Sequence, residues 1–167
     1  MKEGPFTLDD VDIHILSVLQ AHARTTMRDL GEKVGLSSPA VAERVRRLEE
    51  RGVVRGYRAE VAPERLGLAV VAFVSLAMPY EMRPAGGFER QVQLMEAVVE
   101  CYRITGEDAY LLKVAVPDLD ALRESLDRLG EFGRTKASLV LSVPKRPAPL
   151  LPQPHRPLGA TQSSGAD

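Results

Sequence analysis

SSPAVAERVRRLEERG, residues 37–52, is the stretch on which the reading of this chain turns. Wound as a helix, it sets Val41, Val45 and Leu48 at i, i+4 and i+7, one apolar stripe suited to a core. The other side carries Pro39, Glu43, Arg46 and Glu50, with Ala42 and Arg47 on its flanks. A residue before proline avoids the helical region, so Ser38 suits the N-cap and Pro39 the first helical position. Ser37 is the alternative cap, one residue earlier. Gly52 supplies a left-handed stop. Small residues near the start permit close approach, and arginine can grip phosphate or the guanine edge, which suits the major groove of DNA. Alone, the pattern describes a solvated surface helix equally well. What precedes it decides.

Upstream, Thr7 with Asp10 resembles a capping box, and Leu8, Val11, Ile15, Val18 and Leu19 mark an amphipathic helix reaching about His22. A second start follows at Thr26 with Asp29; Met27, Leu30 and Val34 keep helical spacing, and Gly35 ends it. Gly35-Leu36-Ser37 then leads straight into the next helix. Two short helices joined by such a turn behind a bracing helix form a helix-turn-helix.

These residues carry a family resemblance. LDDVDIHILSVLQAHARTTMRDLGEKVGLSSPAVAERVRRLEERGVVRGYRAEVAPERLG resembles the DNA-binding half of the Lrp/AsnC, or feast/famine, regulators. The matching positions include Leu8-Asp9, Asp12, Ile15-Leu16, Leu19, Arg24, Leu30, Gly35-Leu36-Ser37, Arg44-Val45, Leu48-Glu49, Gly52 and Gly56-Tyr57. Ala23 and Val54 depart from it, where the family often has glycine and isoleucine.

Beyond the helices, Val53 to Val61 reads as a strand, and Pro63 and Gly67 bracket a short connection. Ala69 to Met78 is a valine-rich run that predicts a buried strand. Pro79 to Gly87 is a loop, and Phe88, Val92, Met95 and Val99 mark a helix. Strands follow at 99–105 and 110–116 around a Gly106-Glu107-Asp108 turn. Pro117-Asp118 opens a helix with Leu119, Leu122, Leu126 and Leu129 on one face, and Lys136 to Val143 is the last strand.

The expected class is therefore α+β: a winged helix-turn-helix domain followed by a ferredoxin-like βαββαβ domain. The expected boundaries are 7–61 for the first domain, 62–68 for a hinge, 69–144 for the second domain and 145–167 for a tail. Two helices cover one sheet face, and the open apolar face calls for a second copy of the chain. Six of the twelve prolines fall in the last 24 residues, which predicts a disordered or polyproline-like tail.

A net charge of −1 announces no nucleic-acid partner. The local distribution does: six arginines stand against two glutamates between Arg44 and Arg58, a net of +4. A single cysteine, no apolar run of membrane-spanning length and no signal pattern point to a cytoplasmic protein. His14 and His22 lack a third ligand at metal spacing, so no metal or cofactor is expected; one surface and one partly packed histidine is the plain reading. Cys101 reads as a small core residue.

For DNA contact the candidates are Arg24, Ser37, Ser38, Pro39, Ala42, Glu43, Arg46 and Arg47. The resemblance implies that the second domain binds an effector, an amino acid or related small molecule, and dimerises. Gly106, Glu107 and Asp108 are its candidate residues, since amides at a glycine turn and adjacent carboxylates can hold both ends of an amino acid; an ordinary hairpin turn has the same composition. Thr135 and Ser138 match positions where the family lines its pocket. The family usually has an aspartate three residues after this glycine, where this chain has Ala109. An effector outside the leucine-type set, or weak binding, is expected. Sirohaem decarboxylases are similar in both halves and give the alternative function, but they would be expected to carry histidine or other polar catalytic residues in the second half. This chain has no histidine between His22 and His155. An RNA-binding sheet would have Phe73, Tyr102 and Tyr110 but lacks the accompanying basic-aromatic motif.

Overall fold

The structure, a computed structural model, describes residues 7–78 and 87–152. The chain forms two compact units. Among the described residues, 7–59 with 147–152 make the first, and 60–78 with 87–146 the second.

In the first unit α1 spans Asp10–Ala21, α2 Met27–Val34 and α3 Ser38–Glu50. Ile15, Leu16, Leu19, Leu30, Val41, Val45 and Leu48 are buried together as its core. Each comes from the apolar stripe of its helix, so burial rather than propensity holds three short helices in place. The cap of α1 is Asp9, not Thr7. Its carboxylate accepts from the Asp12 backbone N–H at 2.7 Å, while Asp12 accepts in return from the Asp9 N–H at 3.4 Å. The box lies two residues later than the Thr7–Asp10 pair because Asp12, unlike Asp10, is buried. Thr26 caps α2 as expected, accepting from the Asp29 N–H at 3.1 Å. Helix α3 begins at Ser38 with Ser37 at the N-cap, the earlier of the two options.

Val53 to Val61 carries no strand in the single chain. An extended segment becomes a strand only when a neighbour supplies a ladder. Val53, Tyr57 and Val61 are exposed.

The second unit opens with a 3₁₀ turn at Pro63–Leu66, closed by Gly67. Its elements are β1 (Val70–Ala77), α4 (Gly87–Val92), β2 (Val98–Arg103), β3 (Tyr110–Val116), α5 (Leu119–Gly130) and β4 (Arg134–Leu139). The loop expected from Pro79 lies, up to residue 86, outside the described residues. The order is βαββαβ, with an antiparallel sheet arranged β2-β3-β1-β4. Alternation places Ala72, Val74, Leu76, Leu112 and Val114 in the core with Phe88, Val92, Leu122 and Leu129 from the helices. Helix α4 stops at Val92 instead of running towards Val99; Met95 still enters the core from the turn that follows. Strand β4 begins at Arg134, two residues early, because its ladder with β1 starts at Ala77↔Arg134 and ends at Ala72↔Leu139.

Phe73, Ser75, Leu111, Lys113, Glu100, Tyr102, Lys136 and Ser138 share the other face, as their register requires. That face is mixed rather than apolar: Lys113 and Glu100 pair across it at 3.2 Å.

Candidate nucleic-acid interface and effector turn

The candidate interface is the outer side of α3, and the core sets its direction. Val41, Val45 and Leu48 are buried, so Pro39, Ala42, Glu43, Arg46 and Arg47 are turned outward and exposed. The turn before α3 is tight. Gly35 sits at φ +71°, a left-handed position, and the Leu36 N–H donates to the Gly31 carbonyl at 3.0 Å. A Cβ on Gly31 would lie 2.5 Å from the Leu36 carbonyl oxygen. At the far end the Val53 and Val54 N–H groups donate to the Leu48 carbonyl at 2.9 and 3.1 Å, and Gly52 takes φ +68°.

A charged clamp fixes α3 against α1. Arg44 Nη1 donates to Asp9 and to Asp12, both at 2.7 Å, and Arg47 Nη2 reaches Asp12 at 3.5 Å. Asp12 is only 1 % exposed, so the clamp also satisfies a buried carboxylate. The Asp12 backbone N–H, then the Arg44 guanidinium, hold the Asp9 carboxyl below its usual range.

Arg46 is engaged too. Its Nε and Nη2 donate to the two Glu43 oxygens at 3.0 and 2.6 Å, and its Nη1 donates to Glu50. The Arg46 pairing pulls the Glu43 carboxyl below its usual value. Much of the local +4 is thus compensated inside the unit. The spacing of Glu43, Arg46 and Glu50 is visible as i+3 and i+4; Arg44's partners, 32 and 35 residues away, left no such signal.

Of the other candidates, Ser37 and Arg24 are exposed and Ser38 is half-buried. Tyr57, beyond α3, donates to Glu49 at 2.9 Å; burial, and then this carboxylate, push its phenol up to about 12. His14 and His22 are both exposed, so the one surface histidine is matched and the expected partly packed one is not. Their positions explain it: His14 lies off the Ile15–Leu19 stripe and His22 follows the end of α1.

In the second unit, residues 104–109 connect β2 to β3, closed by the Ile104 N–H donating to the Ala109 carbonyl at 3.0 Å. Gly106 has φ +114°; Glu107 is exposed and Asp108 half-buried. Ala109 is buried and its N–H donates to the Leu76 carbonyl at 2.8 Å. Thr135 pairs with the same Leu76 from β4, so the sheet brings it to the end of β1 that also meets Ala109. Ser138 is separated from them. It pairs with Phe73 on the open face, whereas Thr135 shares the core face with Leu76. Nearby, the Tyr110 hydroxyl donates to Glu89, which lowers the Glu89 carboxyl. Cys101 is half-buried against the core, and burial raises its thiol.

Among the described residues, no group of three metal-ligating side chains occurs and no helix is long and apolar enough to cross a membrane.

Residues 8–49 match the AsnC-type helix-turn-helix domain, and residues 71–150 the Lrp/AsnC ligand binding domain. The chain belongs to the Lrp/AsnC family of transcriptional regulators. An Lrp/AsnC relative, the HTH-type transcriptional regulator LrpA of Mycobacterium tuberculosis, is 37% identical over 138 residues, 81% of this chain and 91% of that protein. A feast or famine regulatory protein of M. tuberculosis, solved with L-methionine, aligns with TM-score 0.81 at 36% identity, covering 87% of this chain and 100% of that one. A Neisseria meningitidis transcriptional regulator, also solved with L-methionine, aligns at 0.79 and 33% identity, covering 86% and 96%. As an Lrp/AsnC regulator, the chain joins a DNA-binding helix-turn-helix to an α+β effector unit.

Proposed function

We propose that this regulator reads DNA through Arg46, with Ser37, Ser38, Pro39, Ala42, Glu43 and Arg47 as its neighbours at the interface and Arg24 on a nearby phosphate. The observation that carries this is the outward face of α3, set by the burial of Val41, Val45 and Leu48 behind it. A specific arginine–guanine contact is worth about 1–3 kcal/mol of discrimination. Arg46→Ala should weaken operator binding by that amount and leave the fold intact, because Arg46 is exposed and its ion pairs lie within one helix. A gel-shift titration on the DNA upstream of its own gene, beside a circular-dichroism melt, tests this. Unchanged affinity in the folded variant removes Arg46 from the interface.

The effector in this reading is an amino acid or related small molecule, held by Gly106, Glu107, Asp108 and Thr135. The L-methionine bound to two related structures supports that ligand class. Ser138, on the open face, falls to the assembly surface instead. Ala109 stands where the family usually has a carboxylate. If that carboxylate meets the ligand ammonium directly, its loss costs about 2–5 kcal/mol, roughly 30-fold to several-thousand-fold in affinity. Asp108 is the nearest replacement. A thermal-shift panel of the twenty amino acids followed by calorimetry should find weak, millimolar-range binding, or an effector outside the leucine-type set. Micromolar leucine binding that survives Asp108→Ala rejects this pocket.

The protein is a regulator rather than an enzyme in this reading, works in the cytoplasm and assembles as a homodimer or larger homo-oligomer. A decarboxylase-like role gains no support from its histidines, since none falls within residues 60–146.

A further inference from the structure

Arg46 is surrounded before any DNA arrives. Glu43 accepts from Nε and Nη2, the edge with which a guanidinium grips a guanine or a phosphate in two parallel hydrogen bonds, and Glu50 accepts from Nη1. All three side chains are more than half exposed, on the outward face of α3. Together they carry a charge of −1, although the residue at the centre is an arginine. Non-specific DNA binding comes almost entirely from cations neutralising phosphates. A helix whose outward arginine is already neutralised, and flanked by a second carboxylate, is poorly equipped for that mode.

We propose that Glu43 and Glu50 are specificity-determining residues that withhold Arg46 from phosphates and release it only to a matching base edge. This inference rests on the DNA-binding reading above. Exposed ion pairs are individually weak, so the cage opens without a large barrier. What matters is the replacement. A guanine edge accepts the arginine fork through O6 and N7 deep in the groove, away from the phosphate rails. A phosphate takes the same fork but draws Glu43 and Glu50 towards the most negative part of the duplex. The carboxylates therefore penalise the non-specific complex more than the specific one, which is discrimination by repulsion.

The test uses the full-length protein and two duplexes: one retained by the wild-type protein from a random library, and a scrambled version. Binding is followed by fluorescence anisotropy from 50 to 200 mM salt for wild type, Glu43→Gln and Glu50→Gln. Each variant should bind the scrambled duplex several-fold more tightly. Its plot of log affinity against log salt should steepen by about 0.9 for each protomer bound, one added phosphate contact apiece. The ratio of selected to scrambled affinity should fall. Scrambled-duplex affinity and salt slope equal to wild type in both variants overturn the proposal. Loss of the selected duplex by Glu43→Gln with unchanged scrambled binding overturns it for Glu43, which would then be reading a base itself. A wild-type protein that retains no duplex from the library sinks the DNA-binding reading and this inference with it, an outcome distinct from the other two.

Discussion

Asp12 is held by guanidinium groups from a helix about thirty positions further along the chain, and removing it leaves Arg44 half-buried with half its clamp. Taking one partner from such a pair exposes the desolvation cost of the other, so Asp12→Ala should destabilise the first unit by about 2–3 kcal/mol in urea denaturation. Asp9 makes a pH-dependent contribution whose sign follows from its lowered carboxyl. A carboxylate with a depressed folded pKa stabilises fully above its unfolded value, about 3.9, and loses that contribution as pH falls through the folded value. The destabilisation caused by Asp9→Asn should therefore be present at pH 7 and fade below about pH 4. Thermal melts of both proteins across that range check it. None of this clamp was legible in the sequence. Arg44 lay between the core stripe and the polar face of α3, and its partners belong to a different helix. Sequence periodicity reports which side of a helix is buried, and is silent on which distant carboxylate meets an arginine at its margin.

At the scale of elements, the α2–α3 turn is where one added methyl group matters most. Alanine is better than glycine within a helix by roughly 1 kcal/mol. At Gly31 that gain meets a Cβ placed 2.5 Å from the Leu36 backbone oxygen, which cannot give way without opening the turn. Overpacking of this kind costs typically about 1–3 kcal/mol, so Gly31→Ala should lower stability on balance and weaken DNA binding through a displaced α3. A melt and a gel shift read the two effects separately. Elements with a clear stripe and clear ends were legible: Thr26, Gly35 and Gly52 stop and start helices as their chemistry dictates. The less legible ones depended on a neighbour. Val53–Val61 has strand chemistry but no ladder in one chain, and α4 is cut short because Met95 reaches the core from a turn as readily as from a helix.

For the whole molecule, the open sheet face sets the expected assembly. Phe73 and Tyr102 are 39% and 50% exposed on it; the Lys113–Glu100 pair lies in the same cross-strand row as Phe73, and Tyr102 lies in the next. An aromatic centre with one ion pair fits a self-complementary contact better than free solvent. Phe73→Glu should convert the assembly to a monomer in light scattering at micromolar concentration, with the sheet intact by circular dichroism, since Phe73 points away from the core. The ferredoxin-like order was legible from the alternation of strands and helices. The candidate effector turn was legible only as a glycine with two acids; that Thr135 lies opposite Leu76 and Ser138 opposite Phe73 on the other face depended on register, which a single sequence leaves open.

The first unit is also closed by residues from the far end of the chain. The Gln20 side-chain amide donates to the Leu150 carbonyl at 3.0 Å and accepts from the Leu150 N–H at 2.7 Å, as a strand edge would. Leu150 lines a groove with Leu16, Leu19, Ala23 and the stretch Val53–Arg58. On the ribosome, the three helices emerge before the second unit, while the residue that completes their unit follows only after it. The helix-turn-helix must wait for the second unit to be synthesised before this groove can be filled, so a nascent or truncated regulator presents Leu16 and Leu19 less well covered than the finished one. A stop codon at Pro149 would leave every predicted DNA contact in place and still yield a first unit more readily cut by protease.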